Sequence, residues 1–156
     1  MQSKKTTTNY KSSLNEEQMS TGNNILYTSS RLMLFLSNEL KPFDLTFQQY
    51  NVLRILRKNT LPLSIKGIID QMIDPSSNCS RLVDKLVSKG LATRLNAATD
   101  KRIVHVVLTQ SGILLTDDTA AIIATQFKKF DIFSDEDMKK LNDILDRLKT
   151  LLDDGE

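Results

Sequence analysis

The stretch from Asp74 to Gly90, DPSSNCSRLVDKLVSKG, constrains the fold most, because the hydrophobic period changes directly after it. Asp74 has the short acceptor side chain of a helix N-cap, and Pro75 suits the first helical position. Gly90 suits the left-handed residue just past a helix end. The spacing therefore predicts a helix of about four turns. Cys79, Leu82, Val83, Leu86 and Val87 share one face; Ser77, Arg81, Asp84, Lys85 and Ser88 lie opposite, with Asn78 and Ser80 at the borders. After Gly90 the period shortens to about 2. Leu91 to Leu95 and Ile103 to Leu108 read as strands around a polar loop, with Val104, Val106 and Leu108 on one face.

The segment upstream gives this helix its setting. Thr46 can cap LTFQQYNVLRILRKN, in which Phe47, Tyr50, Leu53 and Leu56 form a stripe and Arg54, Arg57 and Lys58 stay outside. Leu61, Pro62 and Leu63 make a turn. Ser64 can then cap a short helix with Ile65, Ile68, Ile69, Met72 and Ile73 inward. Two short helices across a tight turn, the second exposing a polar face, form a helix-turn-helix, and a hairpin directly after it is a wing. Hydroxyls, an amide and cations near a helix start suit the major groove of DNA; the same pattern also fits an ordinary amphipathic surface helix.

The flanks read as helices of a different kind. Residues 1–13, rich in Thr, Ser and Lys, are disordered or a basic arm. From about Leu14 to Leu40 a long helix carries Ile25, Leu26, Leu32, Met33, Leu36 and Leu40 at helical spacing, widened by Leu34 and Phe35, and Pro42 stops it. Apolar residues on more than one side fit a helix wedged between subunits. Thr109 caps a helix opening TQSG and running to about Phe130, with Leu114, Leu115, Ile122, Ile123, Phe127 and Phe130 available for packing. Ser134 and Asp137 form a variant capping box for the last helix. There Met138, Leu141, Leu145, Leu148 and Leu152 repeat at alternating spacings of three and four, a seam that suits a helical bundle or a short zipper.

Charge is distributed unevenly. Residues 41–110 hold eleven Lys and Arg against five Asp and Glu, whereas residues 111–156 hold six against eleven. A basic middle and an acidic tail fit a chain whose centre meets a polyanion. No apolar run approaches the roughly 20 residues of a membrane span, and MQSKKTTTNYKSS lacks the apolar segment of a secretory signal. These features predict a cytoplasmic protein with no membrane partner. The one cysteine, Cys79, and the one histidine, His105, leave no disulfide and too few soft ligands for structural zinc. No metal, cofactor or catalytic set is expected: there is no phosphate loop and no histidine beside a nucleophile.

The order of these elements resembles the MarR family of winged-helix transcription regulators, most specifically in LTFQQYNVLRIL, SRLVDKLVSKGLATR, DKR and LTQSG, from about Leu45 to Gly112. The resemblance implies a mainly α fold with a small β-hairpin wing: a winged helix-turn-helix core over 43–112 between dimerisation helices at 14–42 and 113–156. It aligns Ser80 and Arg81 with the family's usual Thr-Arg pair on the recognition helix. Arg102 aligns with the wing-tip arginine that enters the minor groove, and Asp100 with the acid that supports the wing. Arg94 looks like the family's basic residue at the end of the first wing strand, or pairs with Asp100. Two departures stand out: KGIIDQM replaces the usual Glu-Leu-Ala run, and residues 14–40 lack the cysteine of peroxide-sensing relatives. Cys79 on the inner face reads as a small buried hydrophobe, since a switch thiol needs exposure and a depressed pKa. His105 reads as an ordinary strand residue.

The expected DNA contacts are Ser77, Asn78, Ser80, Arg81, Lys85, Lys101 and Arg102, with Arg94 and Asp100 supporting the wing. Lys89, Arg54 and Lys66 are further candidates for phosphate contacts. The chain is expected to be a homodimeric, sequence-specific regulator of transcription, a repressor of a palindromic operator on double-stranded DNA. The resemblance implies release by a small aromatic or phenolic effector bound between the dimer helices and the DNA-binding lobe, with its pocket residues unassigned. The alternative is a winged-helix protein-interaction module without sequence-specific DNA binding, using the acidic tail and leucine seam.

Overall fold

The computed structural model describes residues 15–96 and 104–153. Helix α1 (Glu16–Leu40) starts at a reciprocal capping box: Asn15 accepts from the Gln18 amide and Gln18 accepts from the Asn15 amide. Pro42 converts its end into a 3-10 turn, Lys41–Phe43. Helix α2 (Phe47–Lys58) repeats the device with Thr46 and Gln49. There follow β1 (Leu63–Ser64), α3 (Ile65–Ile69), α4 (Cys79–Ser88), β2 (Ala92–Asn96), β3 (Val104–Leu108), α5 (Gln110–Phe127), a 3-10 turn Lys128–Ile132, and α6 (Asp135–Asp153).

Helix α2 is the hub. Eight of its twelve residues are buried, including Val52 and Leu53 at full burial, because α1, α3, α4, α5 and β3 pack around it. Each fully buried aliphatic side chain of this kind contributes roughly 1.5–3 kcal/mol of transfer free energy. The predicted stripe was therefore too narrow: Gln49, Asn51, Val52 and Ile55 are buried too, while Arg54, Arg57 and Lys58 are exposed as expected. The two buried amides are satisfied, Gln49 by the Thr46 amide and Asn51 by the Arg54 guanidinium at 3.0 Å.

The sheet has three strands where the sequence predicts two. Leu63–Ser64 pairs antiparallel with β3, opposite Val106 and His105, giving the order β1-β3-β2. Strands β2 and β3 run in the expected hairpin, from Ala92 opposite Leu108 to Asn96 opposite Val104. Val106 is fully buried, and Val104 and Leu108 are half-buried on the same face.

The start of α5 is locked to this sheet. Thr109 caps the helix, accepting from the Gly112 amide at 3.0 Å, while its own amide donates to the Leu91 carbonyl and its hydroxyl to that of Gly90. A Cβ on Gly112 would lie 1.9 Å from the Leu91 carbonyl oxygen, so only glycine fits. The predicted run to Phe130 ends instead at Phe127, where the chain tightens to a 3-10 turn. Leu114, Phe127 and Phe130 are exposed.

The two ends of the chain contrast with this lobe. The N-terminal half of α1 leaves Met19, Leu26 and Tyr27 exposed, and only Leu36 and Leu40 are buried. Helix α6 starts as expected, with Ser134 accepting from the Asp137 amide, and buries none of its residues. Its seam is in place but uncovered, with Leu141 49%, Leu145 39% and Leu152 66% exposed.

Candidate nucleic-acid interface

Helix α4 presents the surface that the sequence reading singles out, but it starts later than predicted. Asn78, not Asp74, is its N-cap, accepting from the Arg81 amide at 3.1 Å. Asp74 instead closes a turn over Pro75 to Ser77: its carboxylate accepts from the hydroxyls of Ser76 and Ser77, the latter at 2.7 Å. Those bonds hold the Asp74 carboxyl below the usual carboxylate range. Both aspartate and asparagine can cap; Cys79, 2% exposed, fixes the choice by anchoring the first turn in the core. At the other end Gly90 takes the left-handed conformation, φ 71°, as expected.

The faces divide as the spacing predicts, with one shift. Cys79, Val83 and Leu86 are buried and Leu82 is half-buried, whereas Val87 lies at the exposed border. Burial pushes the Cys79 thiol above its ordinary pKa, the opposite of what a reactive thiolate requires. Ser80, Arg81, Asp84, Lys85 and Ser88 are exposed along one side. Asn78, also exposed, and the half-buried Ser77 stand just before the first turn.

Beside this side runs the start of α2. A polar recess between the two helices is lined by Gln48, Gln49, Ser77, Asn78, Arg81 and Lys85. Sequence reasoning missed the contribution of Gln48 and Gln49. The Thr46–Gln49 capping box was a visible signal for where α2 begins, but not for what it would lie against. A serine hydroxyl, three side-chain amides and two cations converge here, a set suited to phosphate oxygens and base edges.

Two ion pairs link α4 and its C-cap to neighbouring segments. Asp84 pairs with Arg94 of β2 at 2.8 Å, so Arg94 braces the wing strand against α4. The alternative pairing of Arg94 with Asp100 falls on a residue outside the described ones, as do Lys101 and Arg102. Lys89 pairs with Asp44 at 2.8 Å and also donates to the Asp44 carbonyl, holding that residue in its left-handed conformation, φ 52°. Lys89 thus ties the far end of α4 to Asp44, away from the helix start. Arg54 is likewise placed elsewhere, beside Tyr50 at an apolar cavity, while Lys66 is exposed on α3. His105 is an ordinary half-buried strand residue.

That cavity, of about 330 Å³, lies between α1, α2 and α5, against Leu32, Met33, Leu36, Phe47, Tyr50, Ile123 and Phe127. Ser29, Asn51 and Arg54 supply its polar groups. Burial raises the Tyr50 hydroxyl pKa, with the Arg54 charge acting the other way. Ile73 also borders it. The sequence predicted Ile73 to be inward, but α3 ends at Ile69, so the helical period no longer governs position 73 and the side chain is 62% exposed.

Among the described residues no helix is long and apolar enough to cross a membrane, and no group of His, Cys, Asp and Glu is arranged to hold a metal. The family model for MarR matches residues 43–103, the span from the α1–α2 junction into the wing. The chain is 30% identical over 121 residues to the HTH-type transcriptional regulator SarZ of Staphylococcus haemolyticus, covering 77% of this chain and 82% of that protein. It is also 30% identical over 125 residues to the organic hydroperoxide resistance transcriptional regulator of Bacillus subtilis strain 168, covering 78% and 82%. In fold it resembles AbsC, a MarR family transcriptional regulator from Streptomyces coelicolor, with a TM-score of 0.80, 21% identity, and 92% of this chain and 98% of AbsC covered. With its winged helix-turn-helix and the exposed face of α4, the chain belongs to the MarR family of DNA-binding transcriptional regulators.

Proposed function

We propose that this regulator is a homodimeric repressor that reads a palindromic operator and is released from it by a small apolar effector. The observation that carries the DNA reading is the face of α4: Ser80, Arg81 and Lys85 exposed together, opposite a fully buried Val83 and Leu86. Ser77, Asn78, Ser80 and Arg81 are assigned to base edges. Lys85 and Gln48 are assigned to the backbone, and Lys101 and Arg102 to the minor groove. Arg94 supports the wing through Asp84.

Two further features support the regulatory half. The uncovered apolar faces of α1 and α6 fit dimerisation arms over 14–42 and 113–156, which would set two lobes about one helical turn apart. The cavity between α1, α2 and α5 fits an aromatic or phenolic effector whose polar end meets Arg54 or Tyr50. Such a ligand releases DNA only if it favours a lobe arrangement that no longer fits successive grooves. A cavity effector is favoured over hydroperoxide sensing, because the one cysteine is buried and its pKa is raised.

The test is to sequence genomic fragments retained by the full-length protein, then titrate binding to the recovered site against salt. The expected result is a two-fold symmetric site and an affinity falling by about 10³ or more between 50 and 200 mM salt, as for several phosphate contacts. Salt-insensitive binding, or none, rejects this reading in favour of a protein-interaction module.

A further inference from the structure

From the cavity's lining we infer that Ile73 is the positioning residue through which occupancy of the cavity is passed to the recognition helix. The inference rests on the effector reading above. Among the described residues lining the cavity, Ile73 alone lies outside α1, α2 and α5; it belongs to the connection between α3 and α4. Its side chain is 62% exposed, facing space that an apolar ligand would fill. A β-branched apolar residue left uncovered there gains by burial whenever such a ligand is present.

The backbone around Ile73 is held so that displacement at this position is transmitted. Met72, 7% exposed, anchors the preceding residue in the core, and its amide donates to the Ile69 carbonyl at 3.0 Å. On the other side Asp74 closes the hydrogen-bonded turn to Ser76 and Ser77. Asn78, the α4 cap, follows directly. A shift of Ile73 toward or away from the cavity therefore moves the turn that launches α4, and with it Ser77 and Asn78 at the DNA face. Coupling requires that a ligand contact Ile73 differently before and after such a shift, which a side chain on the cavity wall can supply. The helices that form the rest of the wall hold the ligand; Ile73 reports it.

The experiment uses full-length parent, Ile73→Ala and Ile73→Val with anilinonaphthalene sulfonate, an apolar aromatic anion, as the probe. Probe affinity is read by fluorescence and DNA affinity by anisotropy on the fragment selected by the parent, with and without saturating probe. Saturating probe is expected to weaken the parent's DNA binding about tenfold. Ile73→Ala is expected to bind probe more weakly than the parent, since it loses a lining contact, and at probe concentrations that saturate it to lose less than about twofold in DNA affinity, with Ile73→Val restoring most of the response. Equal release of Ile73→Ala and parent overturns the relay while leaving the effector reading intact. A parent that binds no probe, or binds it without releasing DNA, overturns both. Because the side chain is largely exposed, Ile73→Ala is expected to melt with the parent.

Discussion

Helices α2 and α6 carry similar aliphatic content and meet opposite fates. Helix α2 buries eight of twelve residues against neighbours from the same chain, whereas α6, with Met138, Leu141, Leu145, Leu148 and Leu152 in register, buries none. The DNA-binding lobe completes its core by itself; the end helices hold apolar surface that one protomer does not cover. In the proposed dimer, reading DNA and assembling are separate physical problems placed on separate elements.

Leu53→Ala tests the lobe's side of the contrast most severely. At full burial it is expected to cost about 2–5 kcal/mol in urea denaturation. Leu145→Ala, on a residue 39% exposed, is expected to change the lobe by less than about 0.5 kcal/mol. Leu145→Asp is expected to lower the mass in sedimentation to that of a protomer with the lobe still folded. Equal costs for Leu53→Ala and Leu145→Ala would erase the distinction.

A smaller effect sharpens it within α4. Asn78→Ala removes the cap and is expected to cost about 1 kcal/mol, with faster amide hydrogen exchange at Arg81. Asp74→Ala should leave the Arg81 amide protected, since its bonds go to Ser76 and Ser77. Loss of protection in that variant instead would place the cap at Asp74.

The smallest effect concerns the α2–α5 contact, where Arg57 pairs with Asp117 through two bonds of 2.8 and 3.0 Å. Hydrogen bonding to Arg57 holds the Asp117 carboxyl below its ordinary value. A depressed carboxylate contributes stability that is present above its unfolded pKa, about 3.9, and is lost as pH falls through the folded one. Asp117→Asn should therefore lower stability slightly at neutral pH and flatten the acid limb by that same small amount, the two curves converging as pH falls through the folded pKa, because exposed pairs contribute little. An unchanged acid limb would remove this pair from the account.

What was legible in the sequence was local. Thr46, Thr109 and Ser134 announced helix starts, Pro42 and Gly90 announced ends, and the change of period marked the hairpin. What escaped depends on distant partners. Strand β1 is two residues long and exists only through pairing with β3. Asp74 and Asn78 carry the same capping signal, and only the burial of Cys79 separates them. Lys89 and Arg54 looked alike as candidate phosphate contacts, and Arg94 looked like wing support without its partner Asp84 being visible. Their roles differ because Asp84, Asp44 and the cavity lie where the fold put them. The cavity itself draws on three helices spread from Ser29 to Phe127.

The lock between Gly90, Leu91, Thr109 and Gly112 bears on how such a protein changes its target. Because these residues close the base of the hairpin, the distance from α4 to α5 is set before the strands diverge. Whatever sequence joins β2 to β3 spans a gate whose posts are already fixed, so its length is nearly free of the core. Under the proposed reading, exchanging that joining sequence for a relative's is expected to alter preference at an operator's flanks while leaving the lobe folded.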